Sequence, residues 1–201
     1  MFFIASFIII TGDSMPDELL DVVNDHDVVV AQEMRSSIHQ QGLQHRGVHV
    51  FLVTQDGRLL VQKRSRFRDN YPQALDCSVS EHVKAGEDYL QAAKRGLAEE
   101  LGLHLTDLQP LVKFKMTYGV NDEEISLLYE SNFDPAQVQF DAEEVEEVAY
   151  YTLDELADSI RMGKTEFCGW FIQLIRWYMG EPSELHVQQN FSDNRTLIST
   201  R

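Results

Sequence analysis

Little positive charge, only two cysteines and no hydrophobic run long enough to span a bilayer set the first limits on this chain of 201 residues. Lysine and arginine number 17 against 33 aspartates and glutamates, for a formal charge of -16. Polyanion binding normally draws on a basic field, so docking on a nucleic acid polymer or an anionic membrane through bulk electrostatics is excluded. A small anionic partner remains open, provided a metal ion or a local cluster of cations receives it. Cys77 and Cys168 stand far apart without C-x-x-C spacing. Neither a zinc knuckle nor a disulfide framework is indicated, and a reducing cytoplasm is the simplest setting. The apolar opening MFFIASFIII has no basic flank and falls short of the ~20 apolar residues of a membrane helix. Residues 1–16 are therefore read as an N-terminal apolar extension, in which the chain truly starts at Met15 or the run forms an extra strand. No internal repeat is present, which excludes a solenoid or propeller. No GxGxxG or GxxxxGK[ST] run is present either, which removes the dinucleotide and P-loop folds and leaves phosphate binding to other means.

What is present has ordinary globular composition, 43% hydrophobic and 25% charged, enough for one core and one domain over residues 17–180. β-Branched runs at 19–23 and 28–31 flank Asn24-Asp25-His26-Asp27 and predict a hairpin. A short helix is expected over 32–39, stopping near Gly42. The runs 48–54 and 58–63 around Asp56-Gly57 predict a second hairpin. Residues 74–82 read as one strand. From Asp88 the period changes to that of a helix, with Leu90, Ala93, Leu97 and Leu101 on one face and Gly102 as its stop. Strands at 111–118, 124–129 and 145–151, helices at 153–161 and 166–178, and a polar tail over 181–201 complete the reading. Strands interleaved with helices imply an α/β fold with a mixed sheet between helices.

The chemistry concentrates in Gly86-Glu87, seven residues, and then Arg95-Gly96-Leu97-Ala98-Glu99-Glu100-Leu101-Gly102-Leu103. At 100° per residue Glu99 and Glu100 fall away from the leucine stripe. Adjacent acids repel, and a hard divalent cation such as magnesium offsets that repulsion while bridging to phosphate. Taken alone the pair also fits a solvated helix face, with Arg95 and Glu99 as an i,i+4 ion pair.

The wider spacing resembles the box of the Nudix hydrolases: glycine, five residues, Glu, seven residues, then Arg-Glu-apolar-x-Glu-Glu-x-Gly-apolar. Glu87, Arg95, Leu97, Glu99, Glu100, Gly102 and Leu103 match it, whereas Glu81 stands at the first glycine and Gly96 at the first glutamate after the arginine. The resemblance implies a Nudix-type α/β/α sandwich and a pyrophosphohydrolase that uses Mg2+, or Mn2+, on a small diphosphate substrate. Glu99 and Glu100 are the implied metal ligands, Glu87 a supporting carboxylate and Arg95 their orienter. The general base stays open among Glu87, Glu99, Glu100, Glu123 and Glu124.

The stretch His45-Arg46-Gly47-Val48-His49-Val50, the hairpin end at Lys63-Arg64-Ser65, Tyr71-Pro72 and Ser78-Val79-Ser80-Glu81-His82 are similar to the isopentenyl-diphosphate isomerase branch of that family. This likeness implies a second metal site at His39, His45, His82, Asp122 and Glu124. It implies diphosphate contacts at Arg64 and Arg68, and an aromatic closing the pocket at Trp170. Each has a plainer alternative: a surface histidine, a solvated basic turn or a core tryptophan. The isomerases carry a catalytic cysteine where this chain has Ser80, and Cys77 is displaced from that position. An alcohol exchanges protons near neutral pH far less readily than a thiol, which disfavours the isomerase reading. A non-catalytic diphosphate-binding module is the third reading. A homodimer is compatible with the sequence, and oligomeric state stays open.

Overall fold

The computed structural model describes residues 17–191 apart from 69 and 164. The 1–16 extension, the Met15 start and residues 192–201 of the tail lie outside the described residues. Strands β1 (Leu19–Val23) and β2 (Val29–Met34) form the first hairpin as a separate antiparallel pair. Its turn is closed by the Asn24 side chain, which accepts from the His26 and Val28 N–H groups at 3.0 and 3.1 Å, an Asx device that competes with regular structure. The helix expected from residue 32 begins later. Gln32 and Glu33 stay extended because they pair across the hairpin with Asp21 and Leu20, and α1 (Arg35–Gln41) starts only after that ladder ends. Gly42, at φ 67°, closes α1 in the left-handed conformation that a glycine adopts without strain.

The Asp56-Gly57 turn joins β3 (His45–Val53) to β4 (Leu59–Arg64), yet only Val53 and Leu59 pair across it. Beyond the turn the two strands diverge. β3 runs parallel to β8 (Asp122–Asn132) and antiparallel to β6 (Val79–His82), while β4 pairs with β5 (Leu75–Asp76) and β9 (Val145–Tyr151). The single strand expected over 74–82 is therefore two, passing from one partner to the other. Ser78 fills the gap: its Oγ accepts from Leu52 N at 2.8 Å and donates to Leu60 O at 2.6 Å. With β7 (Gln109–Gly119) and β10 (His186–Asn190) at the far edge, the eight-stranded mixed sheet runs β10-β7-β8-β3-β4-β5, with β6 paired to β3 and β9 to β4 off that path. β10 lies within the segment read as a polar tail. It is exposed throughout, and its antiparallel pairing with β7 holds it in place.

Period-two alternation along β3 sorts the core into two layers. Val48, Val50 and Leu52 pack with Ala93, Leu97 and Leu101 of α2 (Tyr89–Leu101), whereas Phe51 packs with Phe171 and Leu174 of α4 (Gly169–Tyr178) and Leu156 of α3 (Leu153–Met162). Each fully buried aliphatic or phenyl side chain contributes about 1.5–3 kcal/mol. The result is a helix–sheet–helix sandwich. Helix α2 stops at Gly102, as the sequence indicates, and the structure adds a capping box of Asp88 and Gln91 at its start. Helix α4 starts later than the expected residue 166. The backbone before it is taken by β5: Leu75 N donates to Glu166 O and Cys168 N donates to Leu75 O, both at 2.9 Å. Among the described residues no helix is long and apolar enough to cross a membrane.

Candidate active site

His49, on an odd position of β3, faces the α4 side and lines a cavity of about 640 Å³, with the fully buried His45 on the same face of the strand. The parallel register sets His45 beside Glu124 on β8, and the antiparallel register sets Gly47 beside His82 on β6. Gly47 has to be glycine here, since a Cβ would stand 1.9 Å from Glu124 Oε2. Helix α1 adds His39. The three imidazole rings lie 5.1 to 5.5 Å apart. Asp122 Oδ1 is 3.5 Å from His39 Nδ1 and 3.8 Å from His45 Nε2. Glu124 Oε1 is 3.5 Å from His45 Nε2 and 3.7 Å from His82 Nε2. The structure thus gathers the five residues that chain order scatters. Glu123 alternates to the other side of β8, where it pairs with Lys115 at 3.1 Å, so this candidate base is withdrawn from the cavity.

Burial and close-set charges govern the electrostatics of this cluster. Burial opposes charge on His45, but the neighbouring Glu124 carboxylate prevails and raises its pKa. Burial lowers His82 to about 3 and lowers His39. Burial also works against the Glu124 carboxylate, yet His45 outweighs it and brings Glu124 to about 2, while burial and Glu124 together raise Asp122 to about 6. His45 Nδ1 is 3.1 Å from Leu43 O and has to donate to it, which turns the Nε2 lone pair toward the acids. Three polar atoms of the cluster, His39 Nε2, His45 Nε2 and Asp122 Oδ1, are buried without a hydrogen-bond partner. Orphan groups of this kind fit a metal ion, and imidazole with carboxylate suits a borderline transition metal.

The box residues form the adjoining wall. Arg95 spends its donors on five hydrogen bonds: Nε and Nη2 to Glu87 at 3.0 and 3.1 Å, Nη1 to Glu81 and Glu99 at 2.8 and 3.2 Å, and Nη2 to His82 O at 2.8 Å. Glu87 also accepts from Lys84 N at 3.0 Å. With both oxygens bonded it positions Arg95 and the preceding loop, and it does not line the cavity. The helical wheel places both Glu99 and Glu100 away from the core, and here the structure differs. Glu99 is 55% exposed, but Glu100 is 2% exposed, because Gln62 of β4 reaches up and donates to its Oε2 at 2.9 Å. Its Oε1 has no partner. Burial, with Glu81 adjacent, raises the Glu100 pKa well above the usual carboxylate range.

Cations occupy the other side. Arg64 donates from Nη1 to the buried Asp76 at 3.0 Å and sits 5.7 Å above the Trp170 ring. Arg68 pairs with Glu144. Trp170 Nε1 donates to Asp76 Oδ1 at 2.7 Å, so the tryptophan is tied to the site rather than to the core alone. Ser80 Oγ lies 3.0 Å from His49 Nδ1 and 3.2 Å from Asp76 Oδ1, and His49 Nε2 is 2.8 Å from Tyr118 Oη. Sequence reasoning missed Arg35, His49, Asp76, Tyr118 and Glu144, which all line or brace this cavity. Only His49 carried a signal, the period-two step from His45.

A family profile described as the NUDIX domain matches residues 43–171. The chain belongs to the Nudix family. An uncharacterized Nudix hydrolase of Streptomyces coelicolor is 36% identical over 156 residues, covering 77% of this chain and 84% of that protein. A protein named isopentenyl-diphosphate Delta-isomerase from Serratia proteamaculans is 29% identical over 164 residues, 80% of this chain and 90% of that one. A crystal structure from Deinococcus radiodurans is similar at TM-score 0.67 and 28% identity, covering 80% of this chain and 98% of that chain. The Nudix domain of a Shewanella oneidensis protein, solved with ADP-ribose, shares the fold at TM-score 0.53 and 17% identity over 67% of this chain and 86% of that one. The chain is accordingly an enzyme of the Nudix type.

Proposed function

We propose that this Nudix protein is a magnesium-dependent hydrolase that cleaves a phosphoanhydride in a nucleoside diphosphate-X or related diphosphate substrate. One observation carries the reading: Glu99 and Glu100, Arg35, Arg64 and Arg68, and His39, His82, Asp122 and Glu124 of the histidine–carboxylate cluster all line one cavity. A diphosphate needs cations on its oxygens and a carboxylate near its attacking water, and this wall supplies both kinds of group. Glu99 and Glu100 would hold Mg2+, with Mn2+ able to replace it. His39, His45, His82, Asp122 and Glu124 would hold a second, more nitrogen-loving ion. A divalent cation on the box supplies charge neutralisation for phosphate and makes a nearby water easier to deprotonate. The chain's own part is to orient and to accept the proton. Arg64 and Arg68, with planar guanidinium forks, hold phosphate oxygens, and Trp170 flanks the organic group. The base is drawn from Glu99, Glu100 and Glu124, the cavity carboxylates retained from the sequence candidates. Glu87 acts on Arg95.

The histidine cluster and the Serratia relative favour a second reading, an isopentenyl-diphosphate isomerase. Ser80 weighs against it, because its hydroxyl is engaged by His49 and Asp76 and offers no readily ionised proton. Two free, buried cysteines agree with a cytoplasmic setting. The test is a panel of nucleoside diphosphate derivatives, dinucleotides, coenzyme A and isopentenyl diphosphate, assayed with Mg2+ and with Mn2+. Cleavage within the first three classes supports the hydrolase, isomerisation of the last supports the second reading, and tight binding with no turnover of any supports a non-catalytic diphosphate-binding module.

A further inference from the structure

The two positions at which the box departs from the family pattern, Glu81 and Gly96, touch each other. Gly96 lies on the face of α2 that packs against β6. A Cβ built there would stand 2.6 Å from Val79 Cγ1 and 2.7 Å from Glu81 Cγ. Helix and strand are therefore packed at a separation that only glycine permits, and the Glu81 side chain runs through the space a residue 96 side chain would claim. Its carboxylate ends 2.8 Å from Arg95 Nη1, on the guanidinium that also bonds Glu87 and Glu99. Glu81 lines the cavity with Glu99 and Glu100. Beside it Glu100, 2% exposed, has an Oε1 buried without a partner. Gln62 satisfies only the other oxygen. An orphan oxygen on Glu100 beside the Glu81 carboxylate, whose own guanidinium partner is already committed to five bonds, leaves room for a hard cation bound by oxygen.

We propose that Glu81 supplies, from strand β6, the metal-binding carboxylate that helix α2 lacks at Gly96. Strand and helix have exchanged glycine and glutamate, and the number of acids around the cation is preserved. This rests on the reading of the cavity as a metal-dependent site. Gly96 then implies no loss of metal affinity, and the two substitutions are interdependent.

The test is calorimetric titration of the full chain with Mg2+, a cation the imidazole cluster takes poorly, with a thermal melt of each variant as the check on folding. Glu81→Gln keeps an oxygen for Arg95 but removes the charge, and it should weaken Mg2+ binding at least ~10-fold. The reciprocal exchange is made in a Val79→Ala background to relieve the 2.6 Å contact. There Glu81→Gly should lose Mg2+ binding, and adding Gly96→Glu should restore it to within about threefold of the Val79→Ala parent. Wild-type affinity in Glu81→Gln, or no recovery on adding Gly96→Glu, overturns the assignment while leaving a metal-dependent hydrolase standing. A wild type that binds no Mg2+ overturns both.

Discussion

Replacing Glu100 by Gln should stabilise the metal-free protein while disabling it, two effects of opposite sign that a structural carboxylate would not show. In the apo protein Glu100 is buried, its Oε1 has no donor and Glu81 crowds it. Glutamine keeps an oxygen for Gln62 and places an NH2 where the orphan oxygen stood, with the Glu81 carboxylate as its acceptor. Relief of one unsatisfied buried acceptor is worth about 1–3 kcal/mol. At roughly 2–4 °C per kcal/mol for a domain of this size, the melting temperature in chelator should rise by about 2–12 °C. Mg2+ at a hundredfold excess over Kd stabilises the wild type by about 2.7 kcal/mol, and the variant should gain almost none of it. Turnover should fall at least ~100-fold, the least expected for a direct ligand when the partners of ligands cost 10–100-fold. Because the folded-state pKa of Glu100 lies above its unfolded value of 4.5, the protonated carboxyl carries no charge penalty at low pH, and the penalty appears as pH rises through the folded pKa. The variant's advantage should shrink as pH falls toward 4.5. Scanning calorimetry with chelator and with Mg2+, across pH, measures all of this. A variant that melts lower than wild type in chelator, or that retains full turnover, refutes the reasoning.

Ser80 standing where an isomerase needs cysteine predicts no useful exchange of substrate protons when isopentenyl diphosphate is followed by NMR in heavy water; rapid exchange that vanishes in Ser80→Ala would reverse the order of readings. The histidine cluster predicts that Zn2+ or Mn2+ binds with imidazole ligands, seen as nitrogen scattering at roughly 2.0–2.2 Å in X-ray absorption, and that His45→Ala removes this signal without removing Mg2+ binding. His82, half-buried and lowered to about 3 from 6.5, is held neutral, so its contribution to apo stability is complete above pH 6.5 and is lost as pH falls toward 3; chemical denaturation across that window should show the wild type losing more than His82→Gln. Arg64→Ala strands the buried Asp76 carboxylate and should cost about 3–5 kcal/mol of stability, read by urea denaturation, in addition to raising KM.

The helix α2, its stop at Gly102 and the spacing of Glu87, Arg95, Glu99 and Glu100 were legible because each is local in the sequence. The histidine cluster was legible only through resemblance, since the registers that bring His45, His82 and Glu124 together are set by long-range strand pairing. Ser78, which carries the chain from β4 to β3, has no local signature, so one strand was expected where two exist. Glu100 was placed on the outer face because a helical wheel knows nothing of Gln62 on the strand beneath. Arg35 and Asp76 were invisible for a like reason: what singles them out is the cavity they line or brace.

In the proposed reaction this cavity directs water onto a phosphoanhydride with the help of a divalent cation. That reaction is tested most directly by 31P NMR of the products formed from a turned-over nucleoside diphosphate derivative in 18O-enriched water. Attack by water should place 18O in one product phosphate, product formation should stop in chelator, and the signal should be lost in Glu100→Gln. Cleavage that continues unchanged in chelator, or in the Glu100→Gln protein, would contradict it.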